Sequence, residues 1–198
     1  MNGSTDFCVR GFLTFEGHNV YRVTGSQATW RQQVLRGVWA TGAAGFASHR
    51  TAAALWGLCK GRGIEVIVPK GSGARPTGVT VHETRHLTGL DVDEHDGVRV
   101  TSIERTLVDL AAVLPMGRLA RLLDRAHEQE LTTYQRVHER LTRMPTRGRK
   151  GTVVLRVLLE ERIGTPAEAV NTFEEIMVGI LACSDLPPTG AAAAGRLR

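Results

Sequence analysis

The chain has 198 residues, and a hydrophobic content of 42% allows one core or one domain with a smaller companion. Its net charge of +5 and pI of about 9.6 favour an anionic partner, of which nucleic acid is the commonest. The sequence contains neither a membrane-length apolar run nor a signal peptide, so we expect a cytoplasmic protein without membrane contact. Cys8, Cys59 and Cys183 are far apart, which argues against a disulfide framework or a clustered zinc site; we expect no cofactor.

The first predicted elements are a β-ribbon and two helices. Residues 12–15 and 20–23 are rich in β-forming side chains and flank a turn-like segment, which predicts a pair of strands. Apolar residues at three- and four-residue spacing predict a helix over 29–40. Ser48 is suited to cap a short helix over 49–56, which a glycine ends.

A small sheet is predicted in the middle of the chain. Strands are expected over 64–68, 79–82 and 98–100, and the last of them follows Asp96-Gly97, a strong hairpin signal. Helices dominate afterwards. They are expected from Thr101 or Ser102 to Val113, then over 116–128, from Thr132 to about 143, over 152–162, and from Thr165 to about 183. The fold class that follows is α+β.

Most candidate chemical motifs have an ordinary structural explanation. Arg105 and Asp109 are four residues apart on one helix, which predicts an ion pair worth roughly a few tenths of a kcal/mol. Ser48 and His49 are adjacent on a helix turn and should not face each other, so a Ser–His nucleophile is not expected. Because helix starts can bind phosphate, nucleic-acid contact by His49 and Arg50 stays an alternative.

No metal site or catalytic centre is predicted. His82 and His86 straddle a strand end without a third ligand at a suitable spacing. The basic loop that carries Arg143, Arg147, Arg149 and Lys150 is either a solvated linker or a phosphate contact. We interpret the glutamates of the last predicted helix as solubilising residues.

Four segments occur together in an order and spacing that resemble a known family. They are Val20-Tyr21-Arg22-Val23, Thr29-Trp30-Arg31-Gln32, the stretch from Ala47-Ser48-His49-Arg50 to Leu58, and Thr101-Ser102-Ile103-Glu104-Arg105 with its continuation to Ala111. The ordered set resembles the actinobacterial form of the AbiEi antitoxin family of type IV toxin–antitoxin systems. Many members carry a very-short-patch-repair-like endonuclease domain at the C-terminus. The resemblance covers roughly residues 10–187.

The resemblance implies a chain that is truncated at both ends. Residues 1–23 would be a partial winged-helix wing, 24–143 the core domain, 144–151 a basic linker, 152–187 helices like the start of a nuclease domain, and 188–198 a disordered tail. The helices that would enter the major groove have no counterpart before the wing. Glu174 matches the glutamate beside the nuclease active site, but the strands that would complete a metal site are absent. We therefore expect no enzymatic activity.

The function that the resemblance implies is that of an antitoxin or a transcriptional regulator. Its partner would be the operator DNA of its own operon, through which it would indirectly oppose a nucleotidyltransferase-like toxin. The alternatives are an inactive, truncated relative of a PD-(D/E)XK-type endonuclease fusion protein, or a protein-interaction module that uses the last helix. The predicted nucleic-acid contacts are Arg10, Arg22, His49, Arg50, Arg143, Arg147, Arg149 and Lys150.

Overall fold

A computed structural model describes residues 12–17, 20–27, 29–145 and 150–164. This part of the chain contains six α-helices and two β-sheets, which confirms the predicted α+β class. No helix in it is long and apolar enough to cross a lipid bilayer. The predicted helix from Thr165 and the tail after it lie outside the described residues.

The described part of the chain begins with the predicted ribbon, formed by β1 (Leu13–Gly17) and β2 (Val20–Val23). The two strands are antiparallel, with Leu13 opposite Val23. Helix α1 (Trp30–Ala40) follows and begins at a capping box. The Thr29 hydroxyl accepts from the backbone N–H of Gln32, and Oε1 of Gln32 accepts from the backbone N–H of Thr29. The sequence predicted this helix to within one residue.

Five strands form the second sheet, in the order β5-β4-β3-β7-β6. Their bounds are β3 Phe46–Ala47, β4 Glu65–Pro69, β5 Thr80–Thr84, β6 Val92–His95 and β7 Val98–Thr101. Strand β4 runs parallel to β5 and antiparallel to β3, β3 runs parallel to β7, and the hairpin β6–β7 is antiparallel. The central strand β3 was not predicted, because two residues are too few for a periodic pattern.

Five further helices complete the described part of the chain. They are α2 (His49–Leu55), α3 (Ile103–Ala111), α4 (Met116–Glu128), α5 (Tyr134–Arg143) and α6 (Thr152–Ile163), and a single 3₁₀ turn covers Gly89–Asp91. Ser102 and Thr133 cap α3 and α5 with their hydroxyls. Of the two predicted starts of α3, Thr101 and Ser102, the structure has Ser102 as the cap, whereas α5 is capped one residue after the predicted Thr132. The hydroxyl of Thr132 instead donates to Glu104 Oε1 at 2.8 Å, because it is buried within the helical layer.

The described residues form two hydrophobic clusters. The first joins the sheet to α1 and α2 through Val34, Val38, Ala47, Ala52, Ile64, Val66, Val68, Val98 and Val100. The second is built mainly by the helices and includes Leu107, Leu110, Leu119, Leu123 and Leu141. Leu155, Leu158 and Leu159 of α6 belong to it as well. The first helix of the predicted C-terminal unit thus shares the core of the preceding domain.

Candidate functional site

The candidate site is built around Glu65, a buried carboxylate at the first residue of β4. Strand β3 leads directly into α2, and this short path keeps the helix start beside β4. The backbone N–H of Ser48 donates to the carbonyl of Glu65 at 2.9 Å, and the N–H of Glu65 donates to Thr51 Oγ1 at 2.7 Å. Backbone and side-chain bonds together therefore fix Glu65 against the start of α2.

His82 reaches the same carboxylate from the neighbouring strand. It lies opposite Ile67 in the parallel β4–β5 pair, and residues two apart on a strand share a face, so His82 and Glu65 are on the same side of the sheet. Nε2 of His82 is 3.1 Å from Oε2 of Glu65. The other oxygen, Oε1, accepts from the Arg50 guanidinium at 2.7 Å.

His49 completes the group through an unusual backbone conformation. Its φ of +49° lies in the left-handed region, which costs a non-glycine residue about 1–3 kcal/mol. Its Nδ1 is 2.9 Å from Ser48 Oγ, and its ring stacks on that of His82 with the centroids 3.6 Å apart. The expectation that neighbouring Ser48 and His49 side chains do not meet is wrong here. That expectation assumed ordinary helical geometry for His49, the first residue of α2. The predicted cap residue Ser48 makes no side-chain cap bond, and its hydroxyl contacts His49 instead.

The surroundings set the protonation of this cluster. Burial lowers the pKa of His49 to about 3, with further lowering by the His82 ring and by the charges of Arg105 and Arg50, so its imidazole is neutral. Burial alone would raise the pKa of Glu65. Hydrogen bonds from His82 and Arg50 outweigh it and hold that pKa below its ordinary value, so the carboxylate is charged.

The three side chains form a potential metal-ligand set, which we call the His–Glu cluster: His49, Glu65 and His82. One ligand atom from each lies within 4.8 Å of the other two. The sequence did not suggest it, because His49 and His82 are far apart along the chain and only the strand register brings them together. His86, the predicted neighbour of His82, lies outside the cluster, where its carbonyl accepts from Arg105.

A basic groove adjoins the cluster at Arg50. It is a cavity of about 320 Å³ between the end of α2, the segment that follows it, and α4. Its polar lining carries six cationic side chains, all of them exposed: Arg50, Lys60, Arg62, Arg118, Arg121 and Arg125. Apolar residues such as Leu58, Leu114 and Leu122 also line it, and no acidic residue does. We refer to these six residues and the cavity between them as the basic groove.

Most of the charge in the basic groove is not neutralised. Within the described segments, Arg50 is the only one of its six cations that pairs with a carboxylate. Arg125 donates to the carbonyl of Leu58 at 2.7 Å, and a neutral carbonyl does not offset its charge. Arg50 donates to the carbonyl of Val113 in addition to its ion pair with Glu65. The sequence signal that could have found the groove is the i, i+3, i+7 spacing of Arg118, Arg121 and Arg125 on α4.

The predicted nucleic-acid contacts are scattered in the structure. Arg22 lines a separate cavity of about 370 Å³ between the ribbon and α1 and donates to the Ser26 carbonyl. Arg143 is exposed and pairs with Glu139 at 3.6 Å, and Lys150 is exposed in a turn. His49 is only 5% exposed, so little of its side chain is accessible to a phosphate. Arg10, Arg147, Arg149 and Glu174 lie outside the described residues.

Comparison with known proteins does not identify the chain. No protein-family model matches it, and a search of curated proteins finds no significant similarity. The resemblance to the AbiEi family therefore stays a prediction that depends on the sequence segments alone.

Proposed function

We propose that this protein is a DNA-associated, non-catalytic regulator of the AbiEi antitoxin type that acts in the cytoplasm. It would repress its own operon and so indirectly oppose a nucleotidyltransferase-like toxin. The observation that carries the proposal is the basic groove, where five of six cations have no carboxylate partner within the described residues. Unpaired cations on one surface are the electrostatic footprint of a phosphate-binding protein.

The geometry of α4 supports a polyanion rather than a single small anion. Arg118, Arg121 and Arg125 are about one turn apart, so their charges repeat roughly every 5 Å along the helix axis. Lys60 and Arg62 supply charge from the facing segment after α2. A row of charge on two walls suits a chain of phosphates, and phosphate contacts position a protein on DNA without reading sequence.

The test is DNA binding at several salt concentrations. Fluorescence anisotropy would use a labelled duplex from the region upstream of the gene, and a scrambled duplex of the same composition. We expect Arg118→Gln/Arg121→Gln to weaken binding and to make the slope of log K against log salt shallower by about 1.8, since each phosphate contact contributes roughly 0.9. The upstream duplex should bind more tightly than the scrambled one if the protein represses its own operon.

A matched control removes the same charge elsewhere. Arg85 and Arg156 are exposed and pair with no carboxylate in the described part of the chain, and neither lines the groove. The variant Arg85→Gln/Arg156→Gln should leave the salt slope close to that of the wild type. Equal losses in the two double variants would mean that net charge, and not the basic groove, attracts DNA. Equal affinity for both duplexes would exclude the repressor form of the proposal.

A further inference from the structure

The His–Glu cluster has the composition of a transition-metal site. Two imidazoles and one carboxylate are a common set of three protein ligands for Zn²⁺, with a fourth position left to water. The same set suits other divalent transition metals, whereas Mg²⁺ and Ca²⁺ prefer oxygen ligands. From this donor set and the convergence of its three ligand atoms, we propose that His49, Glu65 and His82 bind one divalent transition-metal ion, with Zn²⁺ as the best-suited ion.

The distances between the ligand atoms need only a small adjustment to fit a zinc ion. In a tetrahedral zinc site with bonds of roughly 2.0–2.2 Å, neighbouring ligand atoms are about 3.3–3.6 Å apart. His82 Nε2 and Glu65 Oε2 are 3.1 Å apart, slightly less than this range, and the largest separation in the cluster is within 4.8 Å. A shift of about 1 Å, small for a side-chain rotation, brings the third atom into range. The stacked rings would tilt so that both nitrogens point at one ion.

Outer contacts orient two of the three ligands. Ser48 Oγ is bonded to Nδ1 of His49, which leaves Nε2 as the ligating nitrogen. Arg50 holds Oε1 of Glu65, so Oε2 is the oxygen that faces His82. Such second-shell bonds fix the tautomer and the orientation of metal ligands. The two ligands that these contacts orient, His49 and Glu65, are almost completely buried.

A single proton shared between Glu65 and His82 explains only part of the arrangement. That proton would engage only the His82 imidazole. The His49 imidazole is stacked on His82 with the ring centroids 3.6 Å apart, and the backbone of His49 is in the strained left-handed conformation. A divalent ion would use both rings and the carboxylate together. The ion has a route to the site, because the side chain of His82 is 26% exposed while that of Glu65 is 9% exposed.

The experiment measures metal binding without nucleic acid, so its outcome is independent of the proposed DNA contact. Tag-free full-length protein, stripped with a chelator, would be titrated with Zn²⁺ by calorimetry and with Co²⁺ by visible absorption. We expect one ion per chain. His82→Ala and Glu65→Gln should each weaken binding by more than about 100-fold, since even outer-shell partners are worth roughly 10- to 100-fold.

The control is His86→Ala, which removes an exposed imidazole near the end of the same strand and should keep wild-type affinity. Circular dichroism of the metal-free variants would show that each is folded. If His82→Ala does not fold, Glu65→Gln decides, because it keeps the size of the side chain. Failure of the wild-type protein to bind Zn²⁺ or Co²⁺ would overturn the proposal, and so would binding that survives both ligand substitutions.

Discussion

Replacing Arg105 with methionine should destabilise the protein far more than an ordinary helical ion pair would. The side chain is completely buried, and its Nε donates to Asp109 Oδ2 at 2.9 Å. Its Nη1 donates to the His86 carbonyl at 2.8 Å and lies 3.3 Å from Asp91 Oδ1. Methionine would fill much of the space but would remove the charge that faces two buried carboxylates. Removal of one partner from a buried ion pair costs about 3–5 kcal/mol.

Urea unfolding followed by tryptophan fluorescence would measure this loss. With a dependence on urea of about 2 kcal/mol/M, a loss of about 4 kcal/mol lowers the midpoint by roughly 2 M. Arg143→Met is the matched control, because Arg143 and Glu139 also form an i,i+4 pair but are 66% and 62% exposed. The Arg143→Met substitution should lower the free energy of unfolding by no more than about 0.5 kcal/mol. A loss below about 1 kcal/mol for Arg105→Met would refute the reasoning.

Two further predictions concern stability. Gly151 has φ +75° and lies directly against the carbonyl of Ala111, so Gly151→Ala should lower the free energy of unfolding by about 2 kcal/mol or more in urea melts. Gly164→Ala, at φ +80° with open space around it, should cost only about 1 kcal/mol. Burial would raise the pKa of Asp91, but hydrogen bonds from Arg140 and Thr88 and the charge of Arg105 hold it below the ordinary value. Its stabilisation is therefore complete above about pH 4 and is lost as the pH falls through the lower folded-state pKa. Below pH 4, urea melts should show a steeper loss for the wild type than for Asp91→Asn.

Local signals in the sequence were sufficient for most helices and strands. The apolar spacing of α4 predicted its bounds of 116 and 128, and Asp96-Gly97 forms the expected turn, with φ of +50° and +76°. Where two neighbouring hydroxyls could both serve as a cap, the sequence left Thr101 and Ser102 open for α3 and placed the cap of α5 one residue early, at Thr132 instead of Thr133. Strand β3 could not be predicted, because its two residues carry no periodicity and depend on β4 and β7 for their hydrogen bonds.

Features that depend on distant contacts were underestimated or missed. Arg105 and Asp109 were predicted as an ordinary ion pair on one helix, but segment 84–91 packs over α3 and removes the guanidinium from water. The His–Glu cluster needs both the β4–β5 register and the left-handed backbone of His49. Neither is visible in residue spacing, since a one-residue slip of β5 would turn the His82 side chain to the opposite face.

Arg50 physically links the two candidate sites. One arm of its guanidinium holds Glu65 Oε1, while the other donates to the Val113 carbonyl at the edge of the basic groove. As long as Glu65 is charged, it offsets the charge of Arg50, and the remaining five groove cations supply the net field. A divalent ion on Oε2 would neutralise Glu65 without displacing Arg50, because the two bind different oxygens. Metal binding would therefore make the groove more positive and so strengthen its attraction for phosphates.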